Sequence, residues 1–160
     1  MTNRHVFITA LVTLTLFVSS CDQEQFFFEA KVIEQGEWPL DYSPFFSFNT
    51  TDTSSYLDFY LDIRNNEKYR YRNIYTFIDM TFPNGRQLKD TIHFPNMATS
   101  DGAWTGKGIG GSYDNSILYK SRKKLPLPGD YKIKVTHAMR DTVLVGIEKV
   151  GIHIDLHNAK

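Results

Sequence analysis

From Ser55 to Arg64 the chain alternates: Leu57, Phe59, Leu61 and Ile63 on one parity, Tyr56, Asp58, Tyr60 and Asp62 on the other. A period of two sends successive side chains to opposite faces, as in a strand with one buried and one wet side. An antiparallel sheet accommodates such a strand. The run from Asn73 to Phe82 is apolar on both parities and is expected at the centre of a sheet. Pro83-Asn84-Gly85 then turns the chain, and Arg86 to Phe94 returns beside it. Further alternating runs lie at Tyr131, Ile133 and Val135 and at Val150, Ile152, Ile154 and Leu156; Phe26 to Glu34 and a short run Ser116 to Ser121 are also read as strands. A turn is read at Asn65-Asn66, and Trp38 is placed in a loop punctuated by Gly36, Pro39 and Pro44. Beyond the N-terminal segment no ten-residue window carries a helical period. Strands divided by turns, with almost no helix, predict an all-β antiparallel sandwich of seven to nine strands, immunoglobulin-like or jelly-roll-like.

The N-terminus constrains location instead of fold. Arg4 and His5 precede the mostly apolar stretch Val6 to Val18, and Ser19-Ser20 stand directly before Cys21, the one cysteine of the chain. As a helix that stretch would span about 20 Å, short of the roughly 30 Å of bilayer hydrocarbon. It reads as an export signal. Val18-Ser19-Ser20-Cys21 looks like a bacterial lipobox, so Cys21 is expected to be the acylated N-terminus, carrying diacylglycerol and palmitate. A lone thiol in an oxidising envelope has no disulfide partner. The division expected is a signal peptide over 1–20, a lipidated tether over 21–30 and one sandwich domain over 31–160. Removing Arg4 with the signal leaves 17 Lys and Arg against 18 Asp and Glu. That balance gives no electrostatic case for nucleic acid.

Several patterns resemble chemistry. Gly106-Lys107-Gly108-Ile109-Gly110-Gly111 matches G-x-G-x-x-G, but Ser112-Tyr113-Asp114-Asn115 follows as a turn, where a dinucleotide site needs a helix N-terminus. His153, Asp155 and His157 share one strand face, as metal ligands can, yet equally form the wet side of a strand. His93 and His137 could join them only from other strands. Asp58 and Asp62 lie four residues apart, roughly 13 Å along an extended chain, and read as solvent-facing charges rather than a glycosidase pair. Lys68-Tyr69-Arg70-Tyr71-Arg72 reads as a charged strand edge or an anion-binding face. Asp90-Thr91-Ile92 and Asp141-Thr142-Val143 match a short pattern glycosylated in some exported proteins. No catalytic residue, metal or cofactor is expected. The stretch Asp101 to Tyr113 holds five glycines, and Asp101, Gly102, Trp104, Gly106, Gly108 and Tyr113 are the candidate partner-binding residues. Glycine serves where backbones take positive angles or another surface comes close, and a Trp between glycines suits a binding anchor. The competing role for Trp104 is a cap folded onto the end of the sandwich.

These stretches together resemble the gliding-motility lipoprotein family of Bacteroidota, GldH. The resemblance runs through four blocks in order: Cys21 and the first strand with Trp38; Asp62-Ile63-Arg64-Asn65 through Tyr69 to Asn73-Ile74-Tyr75; Asp101-Gly102-Ala103-Trp104-Thr105-Gly106-Lys107-Gly108; and Gly129-Asp130-Tyr131 through Met139-Arg140 to Gly146-Ile147 and Val150-Gly151. Arg70-Tyr71-Arg72 is more basic than the family tends to be. The resemblance implies a non-enzymatic lipoprotein of the cell envelope, held by its lipid and expected on the outer membrane. It would support gliding or type IX secretion through contacts with other envelope proteins. The rival expectation is a carbohydrate-binding lipoprotein using Trp38, Trp104 and Tyr113 as exposed aromatics.

Overall fold

The computed structural model describes residues 25–157; the signal segment, Cys21 and the residues before Gln25 lie outside them. Eleven strands follow in order: β1 (Gln25–Val32), β2 (Glu37–Pro39), β3 (Phe45–Thr50), β4 (Leu57–Asn66), β5 (Ile74–Thr81), β6 (Gln87–Phe94), β7 (Lys107–Ile109), β8 (Ser112–Lys123), β9 (Gly129–His137), β10 (Val143–Val145) and β11 (Ile147–Leu156). One five-stranded sheet has the order β1-β11-β4-β8-β7, a second has β3-β9-β5-β6, and β2 pairs with β10 as a separate ribbon. Every pairing is antiparallel.

The alternation that opened the sequence reading is what builds the core. Leu57, Phe59, Leu61 and Ile63 of β4 are buried, and in register beside them stand Val150, Ile152 and Ile154 of β11. Phe46, Tyr131, Ile133, Val135, Ile74, Ile78 and Met80 supply the facing side from the four-stranded sheet. Two sheets that each bury one face are the stable solution for such a pattern. A ring column of Phe27, Phe48 and Tyr131, with centroids 5.0 and 5.4 Å apart, closes the gap at the β1/β3 side. β5 sits between β9 and β6, as its two-sided apolarity predicts. The β5–β6 turn also follows expectation: the Gly85 N–H donates to the Phe82 carbonyl at 2.9 Å, and Gly85 takes φ +81°.

Several local readings change. The two large sheets carry nine strands, and the ribbon brings the total to eleven, because Trp38 lies in β2 and not in a loop. Asn65-Asn66 is no turn: β4 continues through both residues, and Asn65 is fully buried. The short strand expected at Ser116 is β8, which is 12 residues long. The strand expected over Phe26 to Glu34 is β1, which starts one residue earlier at Gln25 and ends at Val32. Lys68 to Arg72 is not a strand edge but the connection between β4 and β5, with Tyr69 buried in it.

Strand direction gives the molecule two ends. β1 begins, β11 ends, β4 begins and β8 ends at one of them, shown by the register Gln25 to Asp155, Asp155 to Asp58 and Leu57 to Lys123. At the other lie the connections 33–44, 67–73, 95–106 and 138–146 and the β7–β8 hairpin. Ten residues of β4 at about 3.3 Å each separate the two by roughly 30 Å. The end where the chain enters from Cys21 is called the tether end below, and the opposite one the distal end.

Candidate functional site

The candidate residues from Asp101 to Tyr113 all fall at the distal end, in two successive hairpins where the sequence suggested an open loop. In the first, Ala98 bridges to Trp104, the Thr99 N–H donates to the Ala103 carbonyl at 2.8 Å, and the Thr105 N–H donates to Met97 at 3.0 Å. Gly102, with φ +90°, makes its turn. The hydrogen bond to Thr99 holds the Asp101 carboxyl below its usual range. The second hairpin joins β7 to β8 through Gly110-Gly111, both at positive φ, with Ile109 opposite Ser112. Positive φ at both central residues is the demand of a type I′ turn, which matches the twist of its strands. The G-x-G-x-x-G run is therefore a hairpin leading into β8, with no helix to receive a pyrophosphate.

Two glycines are there for close approach. A Cβ on Gly106 would meet the Asp114 carbonyl at 2.9 Å and the Asn115 side chain at 3.0 Å. A Cβ on Gly108 would overlap the Ser112 backbone. Below them Asn115 donates from Nδ2 to Asn65 Oδ1 at 2.9 Å, so one buried amide satisfies the oxygen of the other, while Asn65 Nδ2 donates to the Asn66 carbonyl. Glu148 then clamps the hairpin base, accepting from Asn66 Nδ2 and from the Ser112 hydroxyl at 2.8 Å each. This polar clamp was not anticipated; its members are spread over three strands and give no local pattern.

Trp104 is partly buried and packs on the core, with Tyr69 at 6.3 Å and Tyr113 at 5.8 Å between ring centroids. Tyr69 is buried, donates its hydroxyl to the Asn73 carbonyl at 2.9 Å and ionises above the usual tyrosine range, mainly because of burial. The Tyr71 hydroxyl donates to Asp141 at 2.8 Å, which raises its ionisation likewise. Between these rings, Arg70, Arg72 and the 98–104 hairpin lies a cleft of about 370 Å³. Beyond it, at the tip of the second hairpin, Ile109 is 96 % exposed. Trp38 does not belong to this surface. It is fully buried, donates Nε1–H to the Tyr42 carbonyl at 2.9 Å and meets His137 edge-on at 5.2 Å. An exposed sugar-stacking role for Trp38 is thereby overturned.

The histidines are used in pairs. His153 Nδ1 lies 2.5 Å from Asp62, and His157 Nδ1 2.9 Å from Asp58, on the outer face of the five-stranded sheet. Burial works against the charged form of His153, but the hydrogen bond and the charges of Asp62 and Asp155 outweigh it and hold its pKa above the ordinary value. Asp58 is no solvent-facing charge: it is buried, accepts from the Ser121 hydroxyl at 2.7 Å and from the Arg122 N–H at 2.8 Å, and titrates below its usual range despite burial. His93 stacks on Tyr75 at 4.1 Å and His137 lies in the core, so neither approaches His153. Among the described residues no group of three His, Cys, Asp or Glu side chains could hold a metal ion. A recess of about 800 Å³ crosses the same outer face over the small residues Ala30 and Gly151, bordered by Phe28, Asp62, Arg64 and Lys149. Arg64 there is already held in a two-pronged pair with Asp114, both contacts 2.7 Å.

What these features define is an all-β domain whose elaborated distal end carries aromatic and glycine-built hairpins. The GldH lipoprotein family model matches residues 25–154, and the chain belongs to that family. It is 32 % identical over 152 residues to the gliding motility lipoprotein GldH homolog of Christiangramia forsetii, covering 91 % of each chain. To the gliding motility lipoprotein GldH of Flavobacterium johnsoniae it is 27 % identical over 155 residues, covering 92 % of this chain and 94 % of that one. No solved structure matches it. As a member of a lipoprotein family it is a membrane-anchored protein of the cell envelope.

Proposed function

We propose that this chain is a non-enzymatic envelope lipoprotein, acylated at Cys21, that supports gliding motility or type IX secretion by binding another envelope protein with its distal end. The relatives' names supply the motility context. The observation that carries the binding role is the pair of hairpins from Met97 to Tyr113, which presents Trp104 partly buried against tyrosines and Ile109 almost fully exposed, roughly 30 Å from where the chain enters from Cys21. An apolar side chain held out on a hydrogen-bonded hairpin loses little conformational entropy when a partner covers it. Asp101, Gly102, Gly106 and Gly108 shape the hairpins, while Trp104 and Tyr113 form the wall beside the tip.

Ile109→Asp tests this. The side chain touches no core, so the melting midpoint should stay within about 1 °C of wild type. Co-purification of the envelope partner should fall by tenfold or more, together with secretion or spreading in a host that depends on this protein. Full partner retention and full function would contradict the proposal. The cleft between Trp104, Tyr69, Tyr71, Arg70 and Arg72 favours a second reading, a carbohydrate site. Saturable glycan binding that is lost in Arg72→Ala, with partner co-purification unaffected by Ile109→Asp, would support it instead.

A further inference from the structure

At the tether end β8 runs out through Ser121-Arg122-Lys123-Lys124. Asp58 holds this exit by accepting from the Ser121 hydroxyl and the Arg122 N–H, and Arg122 takes φ +56° there. Arg122 and Lys124 consequently flank Tyr56, at 5.4 and 4.5 Å from its ring centroid. Tyr56 is 44 % exposed, and all three cationic residues are exposed. None of the ion pairs among the described residues involves Arg122, Lys123 or Lys124; they fall on Glu29, Asp58, Asp62, Asp79, Asp90, Asp114 and Asp155. Of the other carboxylates of this end, Asp52 accepts from the N–H groups of Ser54 and Ser55 and Asp130 accepts from Asn49; both keep their negative charge, and neither is ion-paired with the cluster among the described residues.

The position of this cluster is bounded by the chain itself. Lys123 pairs with Leu57, three strands across the sheet from Gln25, which at about 4.8 Å per strand is roughly 14 Å. Cys21 lies four residues before Gln25 and, at no more than about 3.5 Å per residue, within roughly 14 Å of it. The two spans together are at most roughly 28 Å, so a cysteine acylated in a leaflet leaves these three cations free to reach the headgroups, though not held within a Debye length of them by the tether alone. We infer that Arg122, Lys123, Lys124 and Tyr56 form a second membrane contact, docking on the net-anionic headgroups of the leaflet that holds the acyl chains. Tyrosine beside lysine and arginine is the composition that favours a membrane–water interface. The contact turns a point anchor into an oriented one, with the distal hairpins pointing away from the bilayer. This inference rests on the acylation of Cys21.

The test uses the purified lipidated protein in vesicles of phosphatidylcholine alone or with phosphatidylglycerol, and measures labelling of individual lysines by a water-soluble amine reagent. Each cationic residue near an anionic surface contributes about fivefold in partitioning. Labelling of Lys123 and Lys124 should accordingly drop at least about fivefold on the anionic vesicles and recover in high salt, while Lys107 at the distal end is unchanged. In the Arg122→Gln, Lys123→Gln variant two of the three contributions are gone, and the protection of Lys124 on anionic vesicles should fall well below that of the wild-type protein. Equal protection of Lys123 and Lys124 on neutral and anionic vesicles would overturn the inference, because closeness through the tether alone would explain it. Failure of the protein to stay with neutral vesicles marks the separate failure of the acylation reading, and removes the basis of this one.

Discussion

At the tether end the strands are joined by the short connections 51–56, 82–86 and 124–128, with Arg122, Lys123 and Lys124 exposed together at the exit of β8. The distal connections 33–44, 67–73, 95–106 and 138–146 are longer, and each buries side chains of its own: Ile33 and Trp38, Tyr69, Met97 and Ala98, then Leu144. The last brings in β10 with Leu144, which pairs across the ribbon with Trp38. Long connections ordinarily cost backbone entropy and move. Here buried anchors hold them, so exposed residues such as Ile109 stand on a rigid base. The contrast teaches that the distal end has been built as a surface, whereas the tether end closes the sandwich with little chain.

If that contrast is right, removing the distal anchor should be the costliest single change. Trp38→Ala removes a fully buried indole and its hydrogen bond, with an expected loss of about 3–5 kcal/mol and a melting midpoint lowered by ten degrees or more. A loss below 1 kcal/mol would mean that the distal connections are not anchored through the core. Trp104→Ala should cost less, about 1–3 kcal/mol, since its ring is only partly buried, yet reduce partner binding more. Equal stability losses for the two tryptophans, with binding retained in the Trp104 variant, would make Trp104 a cap and nothing more.

A smaller effect separates the distal core from the outer sheet face by pH. His137 is buried with both ring nitrogens lacking a side-chain partner, and burial lowers its pKa. Its unfolded form binds more protons below about pH 6.5, so stability falls as pH drops below that value. His153 is shifted upward, so its contribution is fully present below about pH 6.5 and is lost as pH rises through the folded value. His137→Phe should flatten the acid side of a stability–pH curve, and His153→Gln the side above neutrality. The same slope in both variants would show that the assignment is wrong.

The sandwich was legible because β4, β9 and β11 alternate strictly, and alternation is a local property of the chain. The hairpin at Pro83-Asn84-Gly85 was legible for the same reason. Trp38 was misplaced because Gly36, Pro39 and Pro44 signal a loop, whereas its burial comes from β10, more than a hundred residues later. Asn65-Asn66 carries a turn composition, yet Asn65 is satisfied by Asn115 from a distant strand. The glycine cluster was recognised as a feature, but not its form, since a Gly-Gly turn and a flexible loop have the same letters. The basic residues 122–124 carry no local signal of where they lie; their place at the tether end follows from the register of four strands.

The central claim is that the two ends face different things, and cross-linking in the native envelope tests it most directly. A photo-reactive phenylalanine analogue would replace Ile109 in one strain and Lys123 in another, with the protein otherwise intact and lipidated. The account predicts a discrete protein adduct from position 109, abolished by Trp104→Ala, and lipid adducts from position 123. Protein adducts from position 123 with none from position 109 would contradict it.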